Sequence, residues 1–167
     1  MKRQISWQDV THEQCQQICK QIIKTIAPKL QNEILLSSNR YRHLLQRIEQ
    51  LSIDSLMRLV EFAKHSEFSP KALEQDFGAN SSMPPLLFTD EDNHKIEIIG
   101  QIDRIDFNDN YYLVIDYKSG NAFINLLQVY YGLKLQLLTY LLVAQNTTLQ
   151  LYNMENAIPA GILYCFL

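Results

Sequence analysis

The stretch from Gly100 to Gly120 limits the possible folds of this chain most strongly, because it has the pattern of a β-hairpin. Its sequence, GQIDRIDFNDNYYLVIDYKSG, contains two runs rich in apolar residues on either side of the turn-forming letters NDN. A turn centred on Asp109 and Asn110 sets a register in which Asp103 faces Asp116. We therefore expect a β-sheet, and its many apolar positions predict that both of its faces are covered.

Three charged side chains of this hairpin are expected to converge. Side chains alternate between the two faces of a strand, so Asp116 and Lys118 share a face, and Asp103 joins them from across the ladder. A register shift of one residue would separate them. Two opposed carboxylates need a counter-charge, and Mg²⁺ prefers carboxylate and water oxygens. Two interpretations remain open: a solvated face stabilised by Asp–Lys pairing, or a charged site that holds a divalent cation.

A second polar pair lies in the next predicted element, a long amphipathic helix over residues 123–145. Gln136 and Tyr140 are one helical turn apart and therefore share a face. This face is either simply wet or belongs to the same site as the charges of the hairpin.

The spacing of apolar residues predicts the remaining elements. A capping box at Thr11 and Gln14 supports a first helix, which Pro28 ends or kinks. The Gly, Asn, Ser and Pro residues around Gly78–Pro85 predict a loop, and the segment before it is either a short helix or an irregular strand. The predicted helices cover about Trp7–Leu30 and Asn39–His65, and the predicted strands cover Leu86–Thr89, His94–Phe107, Tyr111–Lys118 and Ala160–Leu167.

This order predicts an α/β chain in which a helical part, residues 1–68, precedes a mixed sheet with flanking helices, residues 69–167. The length of 167 residues suits a single domain. No apolar run approaches the roughly 20 residues that span a bilayer. The polar start lacks a signal peptide, and we expect a cytoplasmic protein with no membrane partner.

The net charge and the cysteine content place only weak limits on the function of the chain. The net charge of −3 indicates that any attraction to nucleic acid comes from a local patch or from another polypeptide. Cys15, Cys19 and Cys165 are too scattered for a metal site and are expected to be reduced thiols.

Taken together, the motifs GQIDRID, IDYKSG and LQLLTY resemble the nuclease core of the PD-(D/E)XK superfamily, in its RecB-like branch. Within that branch they are most similar to the nuclease domain of AddB/RexB-type subunits of bacterial helicase–nucleases. The segments VYYGLKLQLLTYL and PAGILYCFL extend the resemblance over most of Ser69–Leu167. The resemblance implies a restriction-endonuclease-like core in this chain.

The resemblance also implies the site and its chemistry. Asp103 and Asp116 would bind Mg²⁺ or Mn²⁺, Lys118 would be the catalytic lysine, and Gln136 and Tyr140 would shape the site and contact the DNA strand. Glu74 corresponds to an auxiliary acidic position. The implied activity is exodeoxyribonuclease cleavage in double-strand break repair and recombination, beside an AddA/RexA-like helicase partner.

Two departures from the family pattern affect these expectations. RecB-like nucleases usually carry a further ligand, often histidine, on an early helix, and His12 is the early histidine here. That ligand is expected upstream of residue 1, and no iron–sulphur cluster is expected, so the chain would be part of a longer protein. The alternatives are a catalytically inactive DNA-guiding or subunit-docking module, and a stand-alone RecB-like or phage-type exonuclease.

Overall fold

The chain folds into a helical part followed by a mixed sheet with its own helices. The computed structural model describes residues 6–30, 33–120, 123–151 and 157–166. Its contacts divide the chain into two compact units, of which the first ends at Glu67 and the second covers Phe68–Phe166. The helices within these described ranges are too short or too polar to cross a membrane.

The first unit contains the two predicted helices, α1 (His12–Ile26) and α2 (Asn39–Lys64). The capping box is present: Gln14 N donates to Thr11 Oγ1 at 3.3 Å, and Thr11 N donates to Gln14 Oε1 at 2.8 Å. A 3₁₀ turn at Ala27–Lys29, which contains Pro28, follows α1. Both helices are therefore confirmed.

Cys15, Cys19 and Cys165 form no disulfide, in agreement with the predicted reduced thiols. Cys15 and Cys19 are buried on α1, and burial raises the pKa of both thiols.

The second unit is built on a four-stranded mixed sheet. The strand order is β1-β4-β5-β6, and β2 and β3 form a separate two-stranded ladder. Strand β4 is antiparallel to β1 and β5, whereas β6 is parallel to β5. The elements of this unit are β1 (Ser69–Phe77), β2 (Leu86–Thr89), β3 (Lys95–Ile98), β4 (Gly100–Asn108), β5 (Tyr111–Lys118), α3 (Leu126–Tyr130), α4 (Gln136–Leu151) and β6 (Ile158–Phe166). The predicted α/β class with a mixed sheet and flanking helices is confirmed.

Two predicted elements differ from the structure, and the structure decides one alternative that the sequence left open. The single strand over His94–Phe107 is wrong, because Ile99 separates β3, which pairs with β2, from β4, which pairs with β1 and β5. Of the two alternatives for the segment before the loop, the structure has the irregular strand, with a register shift between Pro70 and Ala72. The single helix over residues 123–145 is also wrong, because the chain turns at Gly132, with φ of 73°, between α3 and α4. The closing strand is present, although Leu167 lies outside the described residues.

Helix α4 covers one face of the sheet. Val143 and Ala144 of this helix belong to the same buried cluster as Ile105 and Val114 of the hairpin. The hydroxyl of Tyr112 donates a hydrogen bond to the carbonyl oxygen of Leu141 at 3.3 Å. Asp103, Asp116 and Lys118 lie on this same face of the sheet. Helix α4 therefore lies close to the three charged side chains.

The opposite face of the hairpin carries a buried ion pair that the sequence interpretation missed. Arg104 and Asp106 are 2% and 0% exposed, and two N–H···O bonds of 2.6 Å join the guanidinium to the carboxylate. Arg104 also donates to the hydroxyl of Tyr117 at 3.3 Å. Because residues two apart share a face, the spacing R-x-D followed by Tyr was an available signal.

Candidate active site

The register of the hairpin is the one predicted from its turn. Arg104 pairs with Ile115 and Ile105 pairs with Val114, so the same register places Asp103 opposite Asp116. Asp103 and Asp116 thus form a row of acids across the two strands, called the acidic row below. Strand β6 extends this row on the other side of β5, where Tyr164 pairs with Asp116. The row therefore runs across one end of the sheet.

Asp103 is held from across the ladder. Its Oδ2 accepts a hydrogen bond of 2.7 Å from the backbone N–H of Tyr117, and the residue is half-buried. This bond fixes the orientation of the carboxylate while using only one of its oxygens.

Asp116 is the most deeply buried acid of the row, at 1% exposure. Among the described residues its Oδ2 has no hydrogen-bond partner, but the same oxygen forms an ion pair with Lys118 Nζ. The contact is therefore a pairing of opposite charges whose angles do not meet those of a hydrogen bond. A buried carboxylate oxygen that is satisfied only in this way is suited to a further cationic ligand.

Lys118 contacts residues from three elements of the site. Its Nζ contacts Asp116, donates to Gln136 Oε1 at 3.0 Å and lies 5.4 Å from the ring centroid of Tyr164. Burial acts to lower the pKa of Lys118, but the adjoining carboxylate of Asp116, with contributions from Tyr164 and Asp103, raises it overall. The lysine is therefore a protonated cation at neutral pH.

Helix α4 contributes the predicted polar pair. Gln136 is its first residue, and Gln136 Nε2 donates to the hydroxyl of Tyr140 at 3.0 Å. The Tyr140 ring meets Phe77 edge-on, with centroids 6.1 Å apart. A Cβ added at Gly100 would lie 2.9 Å from Cζ of Phe77, so the glycine of GQIDRID makes room for this ring. Sequence interpretation missed that role.

Glu74 lies on the neighbouring strand, and no described side-chain contact joins it to the acidic row. Strand β1 pairs Leu73 with Arg104 and Gln75 with Ile102, which puts Glu74 level with Asp103. Its φ of 49° is left-handed, a conformation that costs a non-glycine residue about 1–3 kcal/mol. The residue is exposed, and its auxiliary role remains a prediction.

Another acidic group lies on the β2–β3 turn. Within the part of the chain that the structure describes, Asp90, Asp92 and His94 form the one cluster of three potential ligands whose atoms lie within 4.8 Å of one another. All three are exposed, and hydrogen bonds from His94 to Asp90 account for the arrangement. This cluster was not predicted, and it is separate from the charges of the hairpin.

The donor set of the row fits a hard divalent cation. Asp103 and Asp116 supply carboxylate oxygens at one end of the sheet, one of them buried and without a hydrogen bond, and oxygen ligands of this kind suit Mg²⁺ or Mn²⁺. The alternative early ligand, His12, is the exposed first residue of α1, and its role is untested.

Comparison with known proteins identifies the family of the chain. A sequence model described as the PD-(D/E)XK nuclease superfamily matches residues 1–167. The chain belongs to the PD-(D/E)XK nuclease superfamily, and its four-stranded mixed sheet with flanking helices is consistent with the restriction-endonuclease-like fold.

More specific relatives are components of bacterial enzymes. The chain is 40% identical over 166 residues to the B subunit of the ATP-dependent helicase/deoxyribonuclease of Bacillus cereus (strain G9842), and the match covers 95% of this chain. The proteins of the same name from Bacillus thuringiensis (strain Al Hakam) and Bacillus anthracis are similar to the same extent. The chain spans 14% of the length of these relatives.

Proposed function

We propose that this chain is a nuclease domain that hydrolyses DNA phosphodiester bonds with bound Mg²⁺ or Mn²⁺. The observation that carries the proposal is the contact of Lys118 with both Asp116 and Gln136, which joins the two family motifs at the end of the acidic row. The lysine thus places a positive charge between a buried carboxylate and the polar start of α4.

Each residue of the row would have a distinct part. Asp103 and Asp116 would hold the cation, which supplies Lewis-acid stabilisation of phosphate oxygens and lowers the pKa of a bound water. Lys118, held as an ammonium, would orient the attacking water and offset charge on the phosphate. Gln136 fixes the lysine, and Tyr140 fixes Gln136, so the helix would set the geometry of the lysine towards the DNA strand.

The names of the relatives support a proposed biological setting. Their name describes the B subunit of a helicase/deoxyribonuclease, which supports an AddB/RexB-type role beside an AddA/RexA-like helicase partner. We place this role in the cytoplasm, as exonucleolytic processing in double-strand break repair and recombination. The net charge of −3 fits a nuclease whose DNA is delivered by other parts of the complex.

The test uses the complete protein that carries this chain, assembled with its helicase partner. Asp116→Ala and Lys118→Ala should each abolish cleavage of one strand of a linear duplex while ATP-driven unwinding continues. The matched control Lys95→Ala, on the separate β2–β3 ladder, should cut normally. A covalently closed circle distinguishes exonuclease from endonuclease activity, since only the latter opens it.

Two results would contradict the proposal. Normal cutting of both strands by Asp116→Ala would show that the row is not catalytic. Wild-type protein that neither cleaves DNA nor binds Mg²⁺ or Mn²⁺ in calorimetry would favour an inactive DNA-guiding or docking module.

A further inference from the structure

Lys118 has three neighbours of different chemistry. Asp116 offers a full negative charge, Gln136 a neutral amide oxygen, and Tyr164 the face of an aromatic ring 5.4 Å from Nζ. The ring lies within the roughly 6 Å over which ring quadrupoles attract cations. The first two belong to the family motifs, whereas Tyr164 comes from β6 and has no assigned role.

The three neighbours would hold the Lys118 ammonium to different extents if Asp116 bound a divalent cation. An ion pair with Asp116 would compete for the same oxygen that a divalent ion would use, so a bound ion would weaken this pair. The amide of Gln136 and the ring of Tyr164 are neutral and do not compete. They are therefore the groups able to keep the ammonium in place.

We propose that Tyr164 is a positioning residue, whose ring holds the Lys118 ammonium at the end of the acidic row while Asp116 serves the cation. This inference rests on the proposed nuclease function. It adds to the two family motifs a third element, the closing strand of the sheet.

The sheet itself sets the position of the ring. Strand β6 runs parallel to β5 and pairs Tyr164 with Asp116, which brings the tyrosine beside the lysine two residues further along β5. Tyr164 also borders a small apolar cavity with Ile162 of β6 and Leu137 of α4.

The experiment compares Tyr164→Phe with Tyr164→Leu in the complete protein and complex. The phenylalanine keeps the ring and should retain kcat for strand cleavage within twofold. The leucine removes the ring and should lower kcat about five- to tenfold with KM for DNA within twofold, as expected for loss of one cation–π contact. Tyr164→Met is a second ring-free variant that serves if the leucine protein does not fold.

Calorimetry with Mg²⁺ supplies a readout that does not depend on activity. Tyr164→Leu should bind Mg²⁺ with wild-type affinity because Asp103 and Asp116 are unchanged. Tyr111→Leu is the matched control, since Tyr111 is exposed at the opposite end of β5, and it should be normal in both assays.

Distinct outcomes separate this inference from the proposed function. If Lys118→Ala is inactive and Tyr164→Leu cleaves at the wild-type rate, the positioning role is wrong and the nuclease proposal survives. Equal losses in the phenylalanine and leucine variants would also overturn the role of the ring, as would a parallel loss of Mg²⁺ affinity. Normal cleavage by Lys118→Ala would instead contradict the proposed function.

Discussion

Lys118 Nζ donates a hydrogen bond to Gln136 Oε1 at 3.0 Å, so the last residue of β5 is tied to the first residue of α4. The two residues are 18 positions apart, and α3 lies between them. Because Gln136 also donates to Tyr140 in the next turn, the lysine is held by a helix rather than by a loop. Removing individual parts of this arrangement has measurable consequences.

Loss of the amide should reduce catalysis more than stability. In Gln136→Ala, the Lys118 ammonium loses a neutral anchor, and we expect kcat for strand cleavage to fall about tenfold, corresponding to about 1.4 kcal/mol. The free energy of unfolding should change by less than about 0.5 kcal/mol, since Gln136 is exposed. Single-turnover cleavage and urea unfolding measure the two quantities. Gln145→Ala, at an exposed position of the same helix, should change neither, and equal activity of the two variants would refute the role of the amide.

Asp116 should become a destabilising residue once its counter-charge is removed. In Lys118→Met, the carboxylate at 1% exposure is left unpaired, and with EDTA present we expect the free energy of unfolding to fall by about 1–3 kcal/mol. The expected loss is modest because solvent screens the Lys118 ammonium, whose side chain is 27% exposed. The double variant Lys118→Met with Asp116→Asn should recover most of the loss in urea unfolding.

The control for that prediction is an exposed ion pair. Lys64→Met breaks the contact with Glu61 on α2. The two side chains are 45% and 62% exposed, so the free energy of unfolding should stay close to the wild-type value. If the Lys64 and Lys118 variants changed the free energy of unfolding equally, the burial of Asp116 would not contribute to the effect.

A methyl group at Gly100 should disturb the site through two aromatic rings. The added Cβ would approach Phe77 Cζ to 2.9 Å, and Phe77 contacts Tyr140 edge-on. We expect Gly100→Ala to destabilise the protein by about 1–3 kcal/mol, as overpacking does, and to lower kcat. Gly120→Ala, whose Cβ would meet nothing within 4 Å, is the matched control and should leave thermal unfolding and cleavage unchanged. Wild-type unfolding of Gly100→Ala would contradict the close packing.

The buried tyrosine of β5 should make stability depend on alkaline pH. Burial raises the pKa of Tyr112 from 10.0 to about 12. Between these values the unfolded chain releases the proton and the folded chain keeps it, so the contribution is complete below pH 10 and is lost as pH rises towards 12. We expect a loss of about 2 kcal/mol in the free energy of unfolding over this interval.

Tyr112→Phe should lack that loss when unfolding is followed by denaturant titration at a series of pH values. Tyr111→Phe, at the exposed neighbouring position, should keep the wild-type dependence. Identical slopes for wild type and Tyr112→Phe would show that Tyr112 does not titrate in this way.

Local patterns were sufficient for much of the fold. The capping box at Thr11 and Gln14 and the register of the hairpin depend on residues close together in the chain, and both are present. The opposition of Asp103 and Asp116 follows from that register. The approach of α4 could be anticipated only from family resemblance, since no local rule sets the distance between Gln136 and Lys118.

Features that depend on distant segments could not be anticipated. The break at Ile99 arises because β3 and β4 choose different partners, and the turn at Gly132 interrupts a pattern that is amphipathic throughout. The buried pair of Arg104 and Asp106 looks like two ordinary charges in the sequence. Only the folded chain shows that both side chains are buried.

The sequence by itself determined the helices of the first unit, the hairpin and the row of acids, because alternation and turn chemistry act over a few residues. Only the tertiary structure decided that Tyr164 stands beside Lys118, since this depends on β6 pairing in parallel with β5. Parallel pairing joins segments separated by a crossover, and its register is set by packing of the whole sheet rather than by any local signal.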